Sequence, residues 1–209
     1  MPTQISDFTL EEFRRAAAGQ QPTPAGVAVA AVAAGLALGL LAKVLTVSGR
    51  RKAPSDDTAR LESLTAAAQA GSQRMLQLAE HDVAAFEAYL TARRMPHVSD
   101  SEIQAREQGT HSAVRRAIDV PLAAAQEAAA GLQLCSGMSA ATPPALVADL
   151  GVAAALLAAA LRGFLLCAES NVRQLAPDDV AYRERLAADT IRHEQALRQA
   201  EAVLESIKP

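Results

Sequence analysis

The chain has 209 residues, 50% of them hydrophobic and only 3% aromatic, with a formal net charge of -3. Near-neutral charge without a basic block excludes an electrostatic nucleic-acid binder, and the absence of runs alternating with period two excludes a sheet. The two cysteines, Cys135 and Cys167, have neither zinc-site nor redox spacing, which points to a reduced, cytoplasmic setting.

Thr9-Leu10-Glu11-Glu12 reads as a capping box that opens a short helix ending near Gly19, with Phe8 and Phe13 as its apolar anchor. Residues 22–49 follow. Between Ala25 and Ala42 this stretch carries no charge and is almost wholly Ala, Val, Leu and Gly. Pro24 suits the first helical turn, Thr23 can cap it and Gly49 can close it. A helix apolar on every side must be buried in protein or in lipid. The length approaches the roughly 20 residues of a bilayer span. However, small residues dominate, Trp is absent and Lys43 interrupts the far end. The expectation is therefore a central helix packed by other helices, without a membrane, with Gly35 and Gly39 forming a GxxxG for close approach. The charged segment ahead of it (Glu11, Glu12, Arg14, Arg15) also argues against a signal peptide.

Arg50-Arg51-Lys52, Pro54 and Ser55-Asp56-Asp57 form a polar turn whose cations complement the preceding helix dipole. A long helix spans about 56–94 and stops before Pro96. Ser99-Asp100-Ser101-Glu102 is a second capping box, and the helix it opens runs to Gly137. Pro121 is predicted to kink or restart that helix near Asp119. Thr142-Pro143-Pro144 starts a helix to about 175, apolar nearly all round between 150 and 161. The last helix, about 178–207 after Pro177, is amphipathic and charged and belongs on the outside. The sum is one all-α domain, residues 1–209: a bundle of about six helices, two of them buried and apolar.

Two carboxylates interrupt these apolar faces. Asp82 lies four residues after Leu78, four before Phe86 and seven before Tyr89, so it shares their face. A carboxylate there is paired, caps a neighbouring helix, or has a raised pKa suited to acid–base chemistry. Asp149 sits in the other very apolar helix. Arg162 is thirteen residues further on, about 20 Å along the axis, so each of the two needs a partner elsewhere. Asn171, about 33 Å from Asp149, could share a site with it only if a second protomer supplies one of them. The four histidines lack metal-ligand spacing, and no metal is expected.

Together these segments resemble the cyclodeaminase/cyclohydrolase family, which includes methenyltetrahydrofolate cyclohydrolases and the cyclodeaminase domain of formiminotransferase-cyclodeaminases. Pro22 to Ala31, PTPAGVAVAA, is similar to the family's PTPGGGxAAA, and Val44-Leu45-Thr46 to its NLT. Asp82-Val83-Ala84-Ala85-Phe86 matches DxxAF. Arg93-Arg94-Met95-Pro96-His97 resembles YxLPK, and Ile118-Asp119-Val120-Pro121-Leu122 resembles TxVPL. Ala148-Asp149-Leu150-Gly151-Val152-Ala153 stands for SDxGVA, and Leu165-Leu166-Cys167 with Asn171 for ALNVxxN. The chain departs from the pattern at Ala25, Val27 and Ala28 in the glycine run, at Val44 and Cys167 in place of asparagines, and at His97 in place of lysine. Methyl groups replacing the glycines would crowd a ligand held against that backbone.

The resemblance implies an all-helical homodimer with a tetrahydrofolate derivative as substrate and no further cofactor, acting on the carbon between N5 and N10. Hydrolysis of 5,10-methenyltetrahydrofolate to 10-formyltetrahydrofolate is the leading expectation. Formiminotetrahydrofolate cyclodeamination, or a non-catalytic folate-binding or structural role, are the alternatives. Asp82 is the expected base or cation stabiliser, with Asp149 second. Pro24 and Gly26 are implied at the substrate, Asn171 at the pteridine or the water. Lys43, Arg50, Arg51 and Arg162 are candidates for the glutamate tail on charge alone.

Overall fold

A computed structural model describes residues 4–49, 56–138, 141–176 and 179–206. It contains a 3-10 turn at Ile5–Asp7, then α1 (Leu10–Ala17), α2 (Gly26–Gly49), α3 (Asp56–Arg93) and α4 (Asp100–Met138). A 3-10 turn at Pro144–Leu146 leads into α5 (Val147–Val172), and α6 (Val180–Ser206) completes the chain. Among the described residues there is no strand. The basic cluster Arg50-Arg51-Lys52, with Pro54 and Ser55, and also Pro177, lie outside the described residues.

Both capping boxes form. Thr9 Oγ1 accepts the Glu12 N–H at 3.2 Å while Glu12 Oε2 accepts the Thr9 N–H at 2.8 Å. At α4, Ser99 Oγ accepts the Glu102 N–H at 3.4 Å and Glu102 Oε2 accepts the Ser99 N–H at 2.9 Å. Each pair satisfies amides that a helix start leaves unbonded.

Helices α2 to α5 make an up-down-up-down bundle: α2 packs on α3 and α5, and α4 packs on the same two. Small residues permit the close crossings. Gly35 lies under the Ser72 backbone of α3, where an added Cβ would stand 3.4 Å from a carbonyl oxygen, and Ser72 Oγ donates to the Gly35 carbonyl at 2.7 Å. Arg74 of α3 forks onto Glu127 of α4 at 2.8 and 2.9 Å, holding the α3–α4 register. As the charge pattern predicts, α6 lies outside, against α4 and α5, turning Leu186, His193 and Ala200 inward at seven-residue intervals.

Two expectations need amending. Of the two expectations for Pro121, a kink or a restart, the restart does not occur: α4 is helical from Asp100 to Met138, and the proline is buried. Packing between α3 and α5 keeps the backbone helical there, and a side chain from α5 takes the carbonyl that the proline frees. Burial of the two apolar helices is also one-sided. Each is long and apolar enough to cross a bilayer, yet 56% of the most apolar window of α2 and 44% of that of α5 is buried within the bundle. Val29 and Leu36 of α2, with Val152, Leu156 and Leu166 of α5, remain exposed.

The tightest crossing is at Gly131 of α4. A Cβ there would stand 2.8 Å from Leu38 of α2 and 2.9 Å from Leu157 of α5. The substitution G131A gains about 1 kcal/mol of helix propensity but over-packs by about 1–3 kcal/mol. Urea denaturation should therefore show a lower midpoint for G131A, and in an L38A background the loss should shrink, since Leu157 alone still opposes the added methyl. An unchanged midpoint in the wild-type background would show that Leu38 and Leu157 swing aside freely.

Candidate active site

The first-turn amides of α2 have no acceptor within their own helix. Thr23 and Pro24, expected to start it, lie ahead of it: the Thr23–Pro24 bond is cis and the helix begins at Gly26. The acceptor comes instead from α3. The Asp82 carboxylate takes the N–H of Ala28, the third residue of α2, at the positive end of the helix dipole. Asp82 therefore caps a neighbouring helix and is also titrationally perturbed. Burial dominates over the Ala28 bond and raises its pKa from 3.8 to about 6.

Asp82 opens into a cleft of about 100 Å³. Phe86 and Tyr89 of α3, Val114 and Ala117 of α4, Asn171 of α5 and Gln174 just beyond it form the remaining walls. The i, i+4, i+7 spacing of Asp82, Phe86 and Tyr89 thus places all three on one wall, as the sequence predicts. Asn171 faces them from α5, its Nδ2 donating to the Ala117 carbonyl at 2.7 Å. One turn earlier, Cys167 is half-buried. A Cβ on Gly26 would stand 3.2 Å from its Sγ, so the one glycine kept from the family's run lies where α2 meets Cys167 of α5. Burial, then the Asp82 charge, pushes the Cys167 pKa up, so it remains a thiol.

Of the residues that replace the glycines, Ala25 is exposed and Val27 and Ala28 do not line the cleft. The side chains of Val27 and Ala28 turn into the core, as does that of Val44. The backbone amide of Ala28 reaches Asp82, while Ala28 itself is not among the residues that line the cleft.

The other predicted site residues lie elsewhere. Lys43 Nζ pairs with Asp149 at 3.1 Å, an exposed bridge between α2 and α5. Ala28 and Lys43 are about 22 Å apart along α2, so within one chain Asp149 and Lys43 are remote from Asp82. Lys43 also borders an open groove with Gly39, Gln69, Ser72 and Gln73. Arg162 is exposed and 3.8 Å from Glu201 of α6. Asp149 and Arg162 each find a partner on another helix, as their separation requires. Tyr89, Gln174 and Cys167 were not singled out as site residues from sequence. Tyr89 and Gln174 carry a signal, seven residues after Asp82 and three after Asn171 on shared faces. Among the described residues no cluster of three His, Cys, Asp or Glu could hold a metal.

The chain is similar to methenyltetrahydrofolate cyclohydrolase of Methylorubrum extorquens, 27% identical over 176 residues, 84% of either chain. It is also similar to formimidoyltransferase-cyclodeaminase of Sus scrofa, 29% identical over 210 residues. That match takes in 98% of this chain but 37% of the pig protein. A solved structure, formiminotetrahydrofolate cyclodeaminase from Thermotoga maritima, has the same fold: TM-score 0.81 at 22% identity, covering 98% of this chain and 99% of that one. The formiminotransferase-cyclodeaminase family profile matches residues 9–191, which takes in α1 to α5 and part of α6. The chain belongs to the formiminotransferase-cyclodeaminase family.

Proposed function

We propose that the protein hydrolyses 5,10-methenyltetrahydrofolate to 10-formyltetrahydrofolate, with Asp82 as the base. The carrying observation is a carboxylate with a pKa of about 6, held on a helix N-terminus in a cleft that also presents Phe86, Tyr89, Asn171 and Gln174. Such a group is largely ionised at neutral pH and still basic enough to take a proton, the condition that general-base catalysis favours. The substrate is an amidinium cation. Its charge beside Asp82 favours the ionised carboxylate and so binds where a neutral ligand would gain little. Water adds to the bridging carbon while Asp82 takes one of its protons. The resulting carbinolamine then collapses: Asp82 returns that proton to N5 as the C–N5 bond breaks, the hydroxyl proton leaves to solvent, and the formyl group stays on N10. Asn171 orients the water or the pteridine edge.

The similarity to the pig protein over 98% of this chain favours cyclodeamination as the second reading, since it works on the same carbon. Parallel assays of methenyltetrahydrofolate hydrolysis and of ammonia release from formiminotetrahydrofolate separate the two. Failure of both, from folded protein, would leave a non-catalytic member.

A second copy of the chain completes the site. The cleft of one chain, about 100 Å³, is below the roughly 300–1,000 Å³ of small-molecule sites. Next to it runs an apolar face made by α2 and α5, which lie side by side and antiparallel: Ala30 is beside Gly163, and Lys43 beside Asp149. Leu36 is 65% exposed on it, Val152 51% and Leu166 62%. Leu36 lies midway between Ala28 and Lys43. A two-fold axis at Leu36 therefore carries the Lys43–Asp149 pair of one copy over the Asp82 cleft of the other. That geometry reunites Asp149 with Asn171.

D82N should lower turnover about a hundredfold or more, and wild-type kcat/KM should fall as pH drops below about 6. The folded-state pKa of Asp82 is raised, so the stability it contributes when protonated is lost as pH rises through about 6. Asn can still accept the Ala28 N–H without a charge. D82N should therefore melt higher than wild type at pH 8, by a margin that shrinks below pH 6. Normal turnover in folded D82N would remove Asp82 from the mechanism.

L36E should convert a dimer to monomers in sedimentation analysis and abolish turnover. Co-expressed D82N and D149N chains should recover about a quarter of wild-type activity, because half the dimers are mixed and each holds one intact site. No recovery from mixed dimers of two inactive variants would place Asp149 outside the site.

A further inference from the structure

Pro121 stands inside α4, four residues after Ala117. In an α-helix the N–H of residue 121 would bond the carbonyl of residue 117, and proline has no N–H to give. The half-buried Ala117 carbonyl, at the cleft wall, is thereby released, and an acceptor shielded from water without a partner is costly. The partner crosses from α5: Asn171 Nδ2 donates to Ala117 O at 2.7 Å. The two ends of the Asn171 amide are chemically distinct, a donor NH₂ and an acceptor oxygen. A carbonyl can only accept, so it selects Nδ2, and flipping the amide would set two oxygens against each other. Oδ1, the other in-plane branch of the amide, is thereby turned away from Ala117, in the residue that lines the cleft with Asp82.

We infer that Pro121 is a positioning residue for this site: by withholding one helical N–H, it makes the Ala117 carbonyl the anchor that sets the orientation of Asn171. The cleft then holds two fixed acceptors, the Asp82 carboxylate and Asn171 Oδ1, and suits a ligand edge that is cationic or carries N–H groups. A proline whose only task was packing would leave the freed carbonyl to water or to a tightened helical turn. Here it is paired to the one asparagine of the cleft. The placement also runs against stability, since proline is the least favoured residue in a helix interior.

The functional part of this inference rests on the folate reading, so the test has two arms. The first arm is the side-chain amide resonance of Asn171 in ligand-free protein, identified by its loss in N171D. In wild type its Nδ2 protons should exchange slowly with solvent. P121A and P121S restore the N–H of residue 121, which competes for Ala117 O. In both, the Asn171 amide should shift and exchange at least about tenfold faster, with a melting temperature equal to or above that of wild type. The second arm is turnover of methenyltetrahydrofolate. P121A should lose about 10–100-fold in kcat/KM, N171D should lose at least as much, and the double variant P121A/N171D should be no worse than N171D alone. An Asn171 amide unchanged in both proline variants overturns the inference, whatever the kinetics. A mobilised amide with wild-type kcat/KM overturns the positioning role. If wild type turns over no folate substrate, the functional proposal fails and the amide arm alone decides whether Pro121 sets Asn171.

Discussion

The structure depends on what surrounds α2. From Ala25 to Ala42 this helix has no charged side chain, so it can neither face water on most sides nor cap its own first turn. Its neighbours supply what it lacks. Small residues let α3 and α5 approach until Gly35 lies under the Ser72 backbone and Gly26 against Cys167. Ser72 bonds the Gly35 carbonyl, and Asp82 bonds the Ala28 amide. A carboxylate drawn into apolar surroundings to serve a helix end has its pKa raised by that burial. The requirement that stabilises α2 and the chemistry available at its N-terminus have one origin.

The same principle works on the opposite wall of the cleft. There the unsatisfied backbone group is a carbonyl rather than an amide, released by Pro121 and taken by Asn171. The site is thus built around two breaks in helical hydrogen bonding, one at a helix start and one inside a helix, each answered by a polar side chain from another helix. Buried polar groups must find partners, and here that demand fixes the side chains that face each other across the cleft.

The opposite end of the α2–α5 pair is polar in a different way. Lys43 and Asp149 meet in an exposed bridge, and exposed ion pairs add little to stability. The apolar residues between that bridge and the cleft face outward, although the helices carrying them are the most hydrophobic in the chain. An exposed patch of this kind marks an interaction surface, and the proposed second copy would cover it and bring its own Lys43–Asp149 end to the cleft.

Much of this architecture is legible in the sequence, because it follows from local rules. Thr9 with Glu12 and Ser99 with Glu102 mark helix starts that form as capping boxes. The apolar runs of α2 and α5 and the charged pattern of α6 mark inner and outer helices. The spacing of Asp82, Phe86 and Tyr89 puts them on one wall. Tertiary structure alone decided the rest. Nothing local to residues 23–28 shows that the cap of α2 comes from Asp82, far along the chain. Nothing near Pro121 shows that its freed carbonyl meets Asn171, or that Lys43 is the partner of Asp149. Val27, Ala28 and Val44 look like obstructions in a motif and prove to be core. Helical periodicity assigns a residue to a face, since it is set by the backbone's own geometry. Which groups meet across faces depends on how the helices pack, and that is determined by every buried side chain at once.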